Sequence, residues 1–189
     1  MKLNKSVLLS FGLLILACSL YRVWPERPFG FAPQWAMAVF AGAVIKEKKW
    51  AFLFPLLSML ISDTVYQILY NNGTSQIWGF YQGQWSNYLL FASLTVFGFM
   101  IAQRITFKNI LAASLAAPSA FFLISNFMVW IGGGGYSRPK TFEGLMMCYT
   151  DGVPFYQMSL LATPVFSGVL FGVYFLVNQR ALQVKKQTV

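Results

Sequence analysis

The chain has 189 residues, of which 57% are hydrophobic, 18% aromatic and only 10% charged, against roughly 25% charged in an ordinary soluble domain. One water-facing core of this size cannot hold so much apolar surface, and the net charge of +9 is not gathered into a nucleic-acid-binding stripe. Histidine is absent, which removes His-based triads and proton relays, and the two cysteines, Cys18 and Cys148, supply neither a disulfide framework nor, without His, a zinc site.

These exclusions leave an integral membrane protein. A membrane-spanning helix needs about 20 mostly apolar residues. The first such run, 6–24, follows Lys2 and Lys5. Its Ile15-Leu16-Ala17-Cys18 loosely matches a lipoprotein cleavage box, but an ordinary first span needs no processing when five more follow. The second run, 33–46, is short for a crossing, and the third, 50–70, is interrupted only by Asp63. A polar, aromatic segment, Asn71–Asn87, contains the turn signal Asn72-Gly73 and separates the fourth span, 87–103. The fifth and sixth spans are 109–131 and 157–178, with Pro118 and Pro164 inside them as expected kinks. Nothing alternates as a barrel strand would. The predicted fold is a single all-α domain over 1–189, a bundle of six transmembrane helices.

Basic residues orient it. Lys2, Lys5, Lys46, Lys48, Lys49, Arg104, Lys108, Arg180, Lys185 and Lys186 fall on one side; Arg22, Arg27, Arg138 and Lys140 fall on the other. Ten against four places both termini in the cytoplasm. The longer segments, 23–32, 71–86 and 132–156, then lie outside, where a ligand would be met.

Asp63 is the only acid within a span. A charge at that depth should face the bundle interior and find a partner, and Arg22 is the nearest cation by depth. It serves either as a ligand contact or as a structural bond between helices. Asn126 and Trp130 lie one turn apart at the outer end of span five, a polar group beside an aromatic wall; interfacial anchoring of Trp130 is the competing reading. Gly132, Gly133, Gly134 and Gly135 lack the Lys-Ser/Thr of a phosphate loop and suit the hinge of a lid. That lid would carry Tyr136, Arg138, Tyr149, Asp151 and Tyr156 towards the solute, with Thr141–Tyr149 as a short interfacial helix in the alternative reading. Small-residue pairs, Ala38 with Gly42 and Ala112 with Ala116, permit close helix approach, either within the bundle or against another subunit.

The stretches Phe31-Ala32-Pro33-Gln34-Trp35-Ala36-Met37-Ala38-Val39-Phe40-Ala41-Gly42 and Phe54-Pro55-Leu56-Leu57-Ser58-Met59-Leu60-Ile61-Ser62-Asp63 resemble a family of uncharacterised bacterial six-span proteins. So do Leu123-Ile124-Ser125-Asn126-Phe127-Met128-Val129-Trp130, Gly144-Leu145-Met146-Met147-Cys148-Tyr149 and Val153-Pro154-Phe155. That group is similar in architecture to the S components, the substrate-binding subunits of energy-coupling-factor (ECF) vitamin transporters. The resemblance implies a bacterial inner-membrane protein that takes a vitamin-like solute from outside and relies on separate coupling and ATPase subunits. S components usually dock through a small-xxx-small repeat on their first helix; span one here has Gly12 and Ala17 without a clean repeat. The alternative is a membrane scaffold or assembly subunit with no transport activity. An enzyme is disfavoured by the lack of a nucleophile–base pair, and no cofactor, metal or nucleic acid is expected.

Overall fold

A computed structural model describes the backbone of residues 5–187 and the side chains of residues 10–177. Seven helical segments occur in it, and no strand is found among the described residues. They are α1 (Lys5–Arg22), α2 (Gln34–Val44), α3 (Lys48–Asn71), α4 (Gln84–Ser93), α5 (Thr95–Ile101), α6 (Phe107–Gly132) and α7 (Phe142–Gln187). Leu94, at φ −63° and ψ −21°, keeps helical backbone between α4 and α5, so those two run on as one rod. The first five expected segments coincide with helices to within three residues at each end. The sixth does not, because α7 starts at Phe142 rather than at 157.

Local chemistry explains the ends. Thr106 caps α6 by accepting the Asn109 N–H at 3.3 Å. At the other end Gly133 takes φ +75°, and the N–H groups of Gly133 and Gly134 close onto the carbonyls of Trp130 and Val129. Prolines 55, 118, 154 and 164 all lie inside helices. Each removes one backbone donor, a loss that helices packed among other helices accommodate.

Three helices are long and apolar enough to cross a membrane: Lys48–Asn71, Phe107–Gly132 and Phe142–Val177. Their most apolar stretches are only 28–33% buried within the protein, so most of that apolar surface points outward. Leu161, Val165, Val169, Val173 and Leu176 form such an outward face on α7. The interior, by contrast, holds small polar side chains. Ser19, Ser62, Ser114, Ser159 and Thr163 are buried, and each satisfies its hydroxyl on a carbonyl one turn back in its own helix. This inside-out distribution is that of a membrane protein.

At 11 residues, α2 is about 16 Å long, well short of the ~30 Å hydrocarbon layer. It lies at the centre of the bundle, with every residue but Trp35 buried. An apolar helix without a polar face is stable only when it is enclosed. Its tightest neighbour is α5: a Cβ built on Gly42 would collide with the Thr95 carbonyl, and one on Gly98 with the Val39 carbonyl. Ala38 and Gly42 therefore serve a close approach inside the bundle and are not open to a second subunit. Ala112 and Ala116 face outward, while the neighbouring Ala113 and Ala117 face the core.

Replacing Gly42 or Gly98 with alanine should lower stability by about 1–3 kcal/mol, because rigid backbone must move. Gly12→Ala, where nothing lies within 4 Å, should be neutral or slightly stabilising. Thermal unfolding in mild detergent measures all three; equal melting points for Gly42→Ala and wild type would contradict the packing.

Candidate functional site

The site is built outward from Asp63, which is 3% exposed on α3. Arg22, the last residue of α1, donates through Nη1 to Asp63 Oδ1 and also to Ser62 Oγ at 2.6 Å. The second carboxylate oxygen accepts from Gln84 Nε2 at 2.7 Å and Tyr88 OH at 2.6 Å, both on α4. A carboxylate so buried is tolerable only with its charge paired and both oxygens hydrogen-bonded, and both conditions are met. The bond between Asp63 and Arg22 ties α1 to α3, and Gln84 and Tyr88 add α4. Gly79 brings the 72–83 segment onto the same place; a Cβ there would strike the Asp63 carbonyl.

Fixing Arg22 also fixes its backbone carbonyl, which accepts from Arg27 Nε and from Tyr66 OH, each at 2.6 Å. Arg27 Nη2 then reaches Tyr66 OH at 3.0 Å. Beside this cluster is a chamber of about 300 Å³, walled by Arg22, Arg27, Gln34, Trp35, Tyr66 and several aromatic rings. A side lobe of about 200 Å³ shares Trp35, Phe121, Phe155 and Ser159 with it. Towards the connecting segments, a vestibule of about 380 Å³ shares Arg27, Phe29, Tyr66 and Ile77.

Two residues that line the chamber, Gln34 and Trp35, each carry a buried polar atom with no hydrogen-bond partner, Gln34 Oε1 and Trp35 Nε1. Gln34 Nε2 donates to the Cys18 carbonyl at 3.2 Å. That carbonyl can only accept, so the amide orientation is set and the oxygen is the atom left over. Native interiors rarely leave such groups orphaned, and orphans beside a cavity are what a polar ligand completes. A third unpartnered atom, Thr95 Oγ1, belongs to the segment of α5 that packs on Gly42.

The structure divides the residues expected from sequence. Arg22 and Asp63 come together, with Arg22 on the chamber wall and Asp63 behind it. Asn126 and Tyr156 line the side lobe, where Asn126 sits over Gly152 and Tyr156 OH lies 2.8 Å from Ser119 Oγ. Trp130 lines none of these cavities. Its Nε1 donates to the Pro139 carbonyl at 2.8 Å, and Lys140 Nζ stands 5.4 Å from its ring centre. Tyr136, Arg138 and Asp151 also stand away from the chamber, and Tyr149 OH donates to the Leu123 carbonyl at 3.1 Å.

The segment expected as a lid is shorter than its sequence reading. The connection after α6 ends at Thr141, because Pro154 is accommodated inside α7 and does not close a loop. What remains is pinned: Arg138 makes a bidentate bond to Asp151, with both distances 2.9 Å, and the Pro139 carbonyl crowds Gly144. The bonds from Asp151 hold the Arg138 guanidinium above its ordinary range. Gly132 ends α6, Gly133 and Gly135 take positive φ, and Gly134 closes onto Val129; together they form a helix terminus and a tight turn. Among the described residues, no three His, Cys, Asp or Glu side chains gather to hold a metal ion.

Gln34 and Trp35 are missed by a search for charges and motifs. Their signal is present nonetheless: Gln34 is the one amide in the uncharged run 28–45.

Asp63→Ala should leave the half-buried Arg22 without its counter-charge and lower stability by about 1–3 kcal/mol. Asp63→Asn should cost less, since an amide retains an acceptor for Gln84 or Tyr88. The comparison is read from melting temperatures in detergent, and equal values for wild type and Asp63→Ala would contradict the network.

No curated protein and no solved structure matches the chain. A family profile matches residues 2–186, almost its whole length. The chain belongs to that family, a family of unknown function (DUF6580).

Proposed function

We infer that the protein is a membrane-embedded receptor for a small solute, held in the chamber between α1, α2, α3, α4, α6 and α7. The observation that carries this reading is the orphaned pair Gln34 Oε1 and Trp35 Nε1, carried by two residues that line a cavity. A purely structural bundle gains nothing by burying an unpaired donor and acceptor, each costing about 1–3 kcal/mol. A solute that supplies an acceptor and a donor recovers that cost, and the chamber volume is near the lower end of the range for small-molecule sites, about 300–1,000 Å³.

The basic-residue asymmetry supports both termini in the cytoplasm, with α2 as a short crossing enclosed within the bundle. In that orientation the chamber and vestibule open to the outside of a bacterial inner membrane. The resemblance to ECF S components supports uptake coupled to separate transmembrane and ATPase subunits. A scaffold without transport activity is the reading that takes over if the chamber proves empty of function.

Purified protein screened against a library of neutral, anionic and cationic metabolites should melt at a higher temperature with at least one of them. Gln34→Leu and Trp35→Phe should each weaken that binding by roughly tenfold or more, the loss of one hydrogen bond to a buried group. If no compound shifts the melting point, the scaffold reading replaces this one. Orientation is tested separately by cysteine labelling in intact cells. A cysteine at Thr74 should react with an impermeant reagent and one at Lys48 should not; the reverse pattern would overturn the topology.

A further inference from the structure

We propose that the solute is a planar aromatic or heteroaromatic carboxylate, with its carboxylate on Arg27 and its ring among the chamber's aromatic side chains. This rests on the reading that the chamber takes a solute and specifies its chemistry.

The charge argument comes first. Two guanidinium groups stand on the chamber wall, Arg22 and Arg27. Arg22 is neutralised by Asp63. Arg27 is not neutralised: among the described residues the ion pairs are Arg22–Asp63 and Arg138–Asp151, and Arg27 donates only to neutral oxygens, those of Arg22, Pro28 and Tyr66. Glu26, its neighbour in the chain, is exposed and makes no ion pair with it. The chamber therefore has one cation in excess. A half-buried cation beside an aromatic-walled chamber favours a counter-ion, and an arginine has five donors of which three are engaged in the bonds named above. One excess charge matches a carboxylate. A phosphate monoester carries about −1.5 to −2 and would remain under-compensated.

The walls supply the rest. Phe29, Trp35, Phe91, Phe121 and Phe155 surround the space, with Trp35 and Phe121 at an edge-to-face angle of 72°. Such faces select a flat, apolar body. Gln34 Oε1 can only accept, so the ring system must present an N–H or O–H, while Trp35 Nε1 can only donate and needs an oxygen or a bare ring nitrogen. Anionic edge, flat body and a donor on the ring together define the class.

A matched set of single-ring probes tests it: 4-hydroxybenzoate, 4-hydroxybenzamide and 4-hydroxybenzylamine, which share ring and hydroxyl and differ in charge. Titration calorimetry on the full chain in mild detergent should show the carboxylate binding at least about tenfold tighter than the amide, and no binding of the amine. Arg27→Gln should erase the preference of carboxylate over amide, and Arg27→Lys should keep most of it. If Arg27→Gln fails to fold, the lysine variant and the three-probe ranking still decide. The proposal is overturned if the amine binds as well as the carboxylate, if the ranking is flat, or if none of the three binds up to roughly 10 mM. Failure here, with some neutral or cationic metabolite still binding in a Gln34- and Trp35-dependent way, would discard the carboxylate and leave the receptor reading standing. Failure of every compound in the wider screen would discard both.

Discussion

A carboxylate buried in an apolar bundle is the constraint on which the polar half of this structure depends. Asp63 is 3% exposed, and its charge is sustained only because Arg22 arrives from α1 while Gln84 and Tyr88 arrive from α4. The pairing does more than neutralise. It fixes the end of α1, so that the Arg22 carbonyl becomes the acceptor for both Tyr66 and Arg27. Tyr66 and Arg27 in turn stand between the vestibule and the chamber. A single acid on α3 thus positions one wall of the cavity without lining it.

The opposite wall is positioned by the lack of polarity. Residues 36–44 of α2 are uniformly apolar and buried, and the helix approaches α5 at the Gly42–Gly98 crossing closely enough to exclude a β-carbon. That contact anchors the far end of α2. Its first turn, where Gln34 and Trp35 stand, therefore meets the chamber from a rigid base. Preorganised polar groups on a fixed helix are what a binding site needs, since little ordering remains to be done when a solute arrives. Ser114 Oγ bonded to Ser167 Oγ at 2.8 Å joins α6 to α7 in the same economical way, with small hydroxyls where a soluble protein would place leucines.

Much of the helical pattern was legible in the sequence, because long apolar runs have few other uses. The Asp63–Arg22 pair was legible for a similar reason: one acid within the spans and one cation at matching depth leave little choice. Other features were not legible. The segment 132–156 read as one outer connection, yet Pro154 lies inside α7, which begins at Phe142, and packing against α6 outweighs one lost backbone bond. The connection after α6 is accordingly shorter than its sequence reading, and Arg138 and Trp130 bond across it. Asn126 and Trp130 share a helix face, but one turn separates them. Asn126 turns onto Gly152, whereas Trp130 reaches past the helix end to Pro139. Gln34 and Trp35 were hidden because an amide and an indole at the start of an apolar run look like the edge of a span. Their importance lies in what they lack, a partner, and that is visible only in three dimensions.

The central claim is that the chamber holds a solute bridging Gln34 and Trp35. An experimentally determined density map of the protein purified with a bound solute tests it most directly. The account predicts density not belonging to the chain within hydrogen-bonding distance of both Gln34 Oε1 and Trp35 Nε1. A chamber closed by the side chains of Phe121 and Phe155, with Gln34 and Trp35 bonded to groups of the protein itself, would contradict it.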